Sequence, residues 1–250
     1  MTISSSYNYV PTRDQIIARA LRIVGALGQG ETAPAAAVTE ATFALNDIIK
    51  EWQADGMLLW KEEGWYFTPT STVLHTIGIG QGINRAAPQK ILVVMRRKTL
   101  NGVTTIVPLE EKTLVDFNAL SPTTLTGVPQ FWSYRYNGST YTEPTVSFYM
   151  WPIPSADFIS DASGTGDILV RSIAPIADFD AAGDHPDVPS YLFNALTWAL
   201  ADQICYEYGV PIAERAQIAK KAQTHKAIAL AFDQQTGSLF LQPYPNWEVE

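Results

Sequence analysis

The sequence predicts an α+β protein: a helical body of about four helices built from both chain ends, with a β-rich sandwich- or barrel-like domain inserted between them. Two observations carry this prediction. Apolar residues recur at helical spacing near both ends of the chain. Between those ends lie short runs rich in aromatic and β-branched residues, broken by turn formers. The expected boundaries are 1–62 for the first part of the body and 63–185 for the β insertion. The second part of the body follows at 186–236, and 237–250 is a C-terminal arm.

Taken in order, Pro11-Thr12 caps a helix over Arg13 to Leu27, with Ile16, Ala20, Ile23 and Leu27 on one face and Gly28 as its stop. A second helix spans about Ala36 to Asp55. Phe43, Leu45, Ile48, Ile49 and Trp52 supply its apolar side, and Asp55-Gly56 ends it. Seven strands follow: Gly64–Thr70, Ser71–Ile79, Ile91–Arg97, Val103–Leu109, Phe131–Tyr136, Thr145–Trp151 and Ile168–Ile173. Asn137-Gly138 reads as a tight hairpin turn, and Glu110–Leu120 as a short helix. After Pro189, Tyr191 to Tyr208 is apolar nearly all round, the pattern of a helix covered on several sides. Gly209 and Pro211 separate it from an alanine-rich helix, Ile212 to about Gln235, giving an αα-hairpin.

Composition narrows the function classes. Of 250 residues 46% are hydrophobic, enough for a core, which excludes disorder. Only 17% are charged, against roughly 25% in an ordinary domain. The net charge of -8 argues against tight binding of nucleic acid. Residues 101–190 hold eleven acids and three bases, so the middle segment carries the surplus. The longest apolar stretch, Tyr191 to Ala201, is too short to span a bilayer. Met1-Thr2-Ile3-Ser4 opens no secretory leader, and the single Cys205 makes no internal disulfide, so folding in a cytoplasm is expected.

The search for chemistry returns mostly structural readings. His75, His185 and His225 have no ligand spacing among them. Gly78-Ile79-Gly80-Gln81-Gly82 lacks the helix start of a nucleotide loop and reads as a β loop. Asp178, Asp180, Asp184 and Asp187 form the densest acidic cluster. Their spacing does not fit a calcium loop, and turn formation and capping are favoured. Glu62, Glu63, Glu110 and Glu111 are the carboxylates available to a glycan hydrolase, and Cys205 reads as a small hydrophobe. No catalytic residue, cofactor or metal is expected. Aromatic residues are the better signal: Trp198 and Tyr206 in the apolar helix, and Phe240, Tyr244 and Trp247 on the arm, are the interface candidates.

Several segments, in their order, carry a resemblance. They are Val128-Pro129-Gln130-Phe131-Trp132-Ser133-Tyr134, then Val146 to Trp151 with Pro152-Ile153-Pro154-Ser155. Ile173-Ala174-Pro175-Ile176-Ala177-Asp178-Phe179-Asp180 and Pro186-Asp187-Val188-Pro189-Ser190-Tyr191 come next, followed by Asn194-Ala195-Leu196-Thr197-Trp198-Ala199-Leu200-Ala201. With the turn Trp52-Gln53-Ala54-Asp55-Gly56, the chain to about Gln235 resembles the head-to-tail adaptor proteins of tailed bacteriophages, the tail tubular protein A and tail accessory factor group.

That resemblance implies a homo-oligomeric ring, commonly of about twelve copies. The ring sits in the virion neck between the portal protein and the tail tube or nozzle, after assembly in the host cytoplasm. Double-stranded DNA passes through it without sequence-specific binding, and no membrane is involved. The helical body makes much of the ring and portal contact, and the β insertion extends toward the distal tail. A virion-associated hydrolase of cell-wall glycan and a carbohydrate-binding tail module formed by residues 63–185 are the competing expectations.

Overall fold

The computed structural model describes residues 9–56, 61–100, 102–138, 143–161 and 164–232. The protein is mixed α+β; among the described residues there are six α-helices and no closed barrel. The chain divides into two compact units, residues 1–48 with 179–250 and residues 49–178.

In the first unit, α1 (Arg13–Ile23) begins with a reciprocal capping box. The Gln15 amide donates to Thr12 Oγ1 (3.3 Å) and the Thr12 amide donates to Gln15 Oε1 (3.0 Å). The helix stops before the expected Gly28. Gly25, at φ 74°, lets the Ala26 amide reach the Leu21 carbonyl (2.9 Å), so the left-handed stop comes one turn earlier. Helix α2 (Ala35–Ala54) crosses the unit boundary and buries Ala41, Ala44, Leu45, Ile48, Ile49 and Trp52 as one stripe. Phe43 is 62% exposed, contrary to its expected place on that stripe. At 100° per residue it lies about 160° from Leu45, on the opposite side.

The long apolar helix opens with a 3-10 turn (Ser190–Leu192), and only Phe193–Ile204 is α-helical. This helix, together with Arg13–Ile23, packs in the first unit, where Tyr9 meets Phe193 edge-on at 6.4 Å. The helix after Gly209 runs over Ile212–Phe232 and buries a narrow stripe of Ile218, Ala222 and Ala229.

In the second unit the seven expected strands are present, and short pairings bring the number to twelve among the described residues. They are β1 (Glu62–Phe67), β2 (Leu74–Gly78), β3 (Ile83–Asn84), β4 (Lys90–Leu100), β5 (Val103–Pro108), β6 (Glu110–Glu111), β7 (Thr126–Gly127), β8 (Phe131–Asn137), β9 (Thr145–Trp151), β10 (Ile153–Pro154), β11 (Ser160–Asp161) and β12 (Gly164–Ile173). One sheet has the order β1-β12-β4-β5 and the other β3-β2-β9-β8-β6, with β7 and β10 forming a separate pair. The sheets share one core. Trp65, Val94, Ile168 and Val170 of the first meet Ile77, Trp132, Phe148 and Met150 of the second.

Two local expectations are corrected here. The segment Glu110–Leu120 does not start as helix: β6 pairs with β8, and only α3 (Leu114–Asn118), capped by Thr113, is helical. Asn137 is a ladder residue opposite Thr145, and Gly138 does not adopt a positive φ, so the tight turn is not at Asn137-Gly138. The two-residue connection lies instead between Leu100 and Val103, which pair directly, with Gly102 at φ 79°. With α4 (Ala156–Ile159) in the same unit, the two remaining helices, Phe193–Ile204 and Ile212–Phe232, are α5 and α6.

Candidate functional site

In the middle loop the carboxylates of Asp178 and Asp184 and the carbonyl of Asp180 make structural contacts. Asp184 Oδ2 accepts from the amides of Asp180 (2.8 Å) and Ala181 (2.5 Å), and these bonds, with Arg13 and His185 nearby, hold its carboxyl below the ordinary range. Arg13 donates to the Asp180 carbonyl (3.3 Å). Asp178 pairs with Lys50, and Asp187 is half-buried between Pro186 and Val188. Among the described residues no group of three or more His, Cys, Asp or Glu gathers as a metal site. His185 contacts the Pro11 carbonyl (3.2 Å), His225 contacts Asn194 (3.1 Å) and stacks on Trp198, and His75 lies in the β unit.

Of the interface candidates, Trp198 is half-buried between His225, with ring centroids 6.1 Å apart, and the Lys221 ammonium at 4.7 Å. Tyr206 lies just past the end of α5, exposed, with the Arg215 guanidinium 4.9 Å over its ring. Phe240, Tyr244 and Trp247 lie outside the described residues. Cys205 is buried and its Sγ contacts the Asp202 carbonyl (3.0 Å); burial and the Asp202 charge push the thiol pKa up, which disfavours the nucleophilic thiolate.

The glutamates named for hydrolysis occupy edge strands of different sheets. Glu62 pairs with Arg171 (3.3 Å), Glu63 with Arg85, and Glu110 with Lys112.

Sequence reasoning passed over several exposed apolar side chains. Phe43 on α2 and Ile212 and Ile228 on α6 are large apolar side chains held in water. Helical-wheel placement of Phe43 against Leu45 was the signal available for the first of them. In the β unit two clefts open. One, of about 520 Å³, is lined by Arg96, Lys98, Leu100, Val107, Val128 and Phe158 among others. Its two cations hold main-chain carbonyls: Arg96 donates to Pro129 (2.7 Å) and Lys98 to Asp157 (2.7 Å).

The other, of about 580 Å³, is lined by Phe67, Thr70, His75, Asn84 and Arg85 among others. Arg85 lies 4.3 Å over the Trp65 ring. The Thr70 amide donates to His75 Nε2 (3.0 Å), which places the proton of the neutral ring on Nδ1. Nδ1 is buried with no partner among the described residues, and burial lowers the ring's pKa from 6.5.

Comparison with known proteins finds no family model that matches this chain and no significantly similar curated protein.

Proposed function

We propose that this protein is a head-to-tail adaptor: a structural virion protein whose copies form a closed ring between a portal and a tail tube or nozzle. In this reading the helices of both chain ends form the body that makes the ring, and the β region is an insertion in that body. The division of the chain into a unit of residues 1–48 with 179–250 and a unit of residues 49–178 supports the second point.

The observation that carries the reading is the uncovered apolar surface of the helices. Phe43 is 62% exposed, Tyr206 66%, Ile212 84% and Ile228 62%. Isolated apolar side chains are normal on surfaces, but these recur on α2, on α6 and in the turn after α5 of one unit. A ring needs two different contact faces on each subunit, because its contacts are heterologous. The acidic balance of the chain suits a conduit. The net charge of -8 discourages retention of DNA phosphates, whereas a basic lining would retain them by releasing counterions.

The test is light scattering and negative-stain microscopy of the full chain, alone and mixed with the portal protein of the same phage. Closed rings in either sample are the expected result. A protein that remains monomeric in both sinks the proposal.

A further inference from the structure

Between β1 of one sheet and β2 of the other runs an uncharged loop, Thr68-Pro69-Thr70-Ser71-Thr72-Val73. It borders the cleft of about 580 Å³. Both ends of the loop are tied to other strands. The Thr68 hydroxyl donates to Asp167 Oδ1 (2.8 Å), and the Met150 amide donates to the Val73 carbonyl (3.0 Å). Its middle is tied differently, by the Thr70 amide that donates to His75 Nε2 (3.0 Å). The Thr70 carbonyl in turn accepts from the Thr72 amide (2.7 Å), so Thr72 follows wherever Thr70 is held. The tie at Val73 is main chain to main chain. The tie at Thr70 is to an imidazole, a group whose charge ordinarily changes between about pH 5 and 8.

The surroundings of His75 accept only the neutral ring. It is 7% exposed, on the face of β2 that also carries Ile77, opposite Phe148 of β9 and 5.6 Å from the Phe67 ring. Nδ1 carries the proton and is buried with no partner among the described residues, while Nε2 accepts from Thr70. A second proton goes to Nε2, which then faces the Thr70 amide as donor against donor. The Thr70 hydroxyl, 3.2 Å from Nε2, can take that hydrogen, but the amide is left without its acceptor.

The charge also finds no counter-ion. Strand β1 presents Phe67, β9 presents Phe148, and the loop has no ionisable group. Of the charged groups around the cleft, Glu63 is paired with Arg85 and Asp167 with Arg97. Arg85 lines the same cleft and adds charge of the same sign as the imidazolium. Residues 70–72, by contrast, are exposed, so moving them outward breaks no core packing.

We propose that His75 is an acid-released latch. The neutral ring holds residues 70–72 against the mouth of the cleft, and the imidazolium lets them swing outward between Pro69 and Val73. The ring gains water on the open side, and the cleft opens toward Phe67. The latch belongs to the β unit alone and does not depend on whether copies of the chain form a ring.

The test is hydrogen exchange of the full chain, read by mass spectrometry at pH 7.5 and pH 5, with each rate divided by the intrinsic rate at that pH. Peptides covering residues 68–75 are expected to lose protection by about tenfold on acidification. The ceiling is roughly thirtyfold, the excess of imidazolium over neutral ring about 1.5 pH units below an ordinary pKa of about 6.5. Peptides from β8 and β9 are expected to keep their protection.

Two variants separate the latch from a general response to acid. His75→Gln offers an oxygen to the Thr70 amide and does not titrate, so the loop is expected to stay protected at both pH values. Thr70→Val changes an exposed side chain, keeps the amide and removes the hydroxyl, and is expected to lose at least as much protection in acid as the natural chain. Loop protection that does not change with pH overturns the proposal, as does an equal loss in His75→Gln. A loss shared with β8 and β9 also overturns it, because the chain is then unfolding as a whole. So does a Thr70→Val protein that no longer responds to acid, since release would then depend on the hydroxyl and not on the amide.

Discussion

Gly166 in β12 has no side chain because another backbone occupies the space. A Cβ built there would lie 2.1 Å from the Phe158 carbonyl oxygen of α4 and 3.0 Å from the Phe158 ring. The oxygen is held on its other side by the Lys98 ammonium (3.0 Å). Gly166→Ala is therefore expected to destabilise the protein by about 1–3 kcal/mol or more, read as a lower urea midpoint with little change in slope.

His75 sets a second residue-scale expectation. Its folded pKa lies below the ordinary 6.5 because burial disfavours the charged ring. Protonation thus favours the unfolded chain. The His75 contribution is complete above about pH 6.5 and is lost as pH falls through that value to the folded pKa. Urea midpoints measured from pH 7.5 to 5 should decline, and His75→Gln should flatten the decline. Asp184 acts in a separate window. Its carboxyl is held low, so its contribution is present above 3.8 and is lost at more acid pH.

At the scale of elements, the informative residues are those whose face was misjudged or whose partner was unknown. Phe43 belongs to a helix whose buried stripe is Ala41, Leu45, Ile48 and Trp52, and it stands on the other side. Ile228 on α6 stands clear of the Ile218–Ala222–Ala229 stripe. Replacing either with Ser removes little buried surface and is expected to move monomer stability by no more than about 0.5 kcal/mol. Association of the same variants should weaken, measured as the dependence of mass on concentration. An equal loss of stability and association would instead mean that these residues serve the fold.

The hairpin of β4 and β5 carries a related lesson. Asn-Gly occurs at both 101–102 and 137–138, and local chemistry favours a turn at each. Only the first pair connects adjacent ladder residues. At the second, the β8–β9 ladder continues through Asn137, because cross-strand pairing with Thr145 outweighs the local preference.

For the whole molecule, periodicity and turn chemistry made most elements legible. The helices α1 and α2, the seven longer strands and the αα-hairpin of α5 and α6 were readable, each with an end displaced by a few residues at most. The ends moved where a cap competed, as when Gly25 displaced Gly28. The candidate surfaces were less legible. Trp198 and Tyr206 were readable as aromatic residues in an apolar helix, whereas their cation partners Lys221 and Arg215 come from the next helix.

The sequence by itself determined the α+β class, the low charge and the placement of acids in the middle segment, since these depend on residue type and spacing along the chain. Tertiary structure alone decided that β12 lies between β1 and β4, although it follows them by many residues. It also decided that β5 is an uncharged edge and that Gly166 meets the α4 carbonyl. The reason is physical. A period of two tells which face of a strand is buried and says nothing of which strand lies beside it. Neighbours are chosen by the burial of the shared core, and with them come the open edges where another chain can bind.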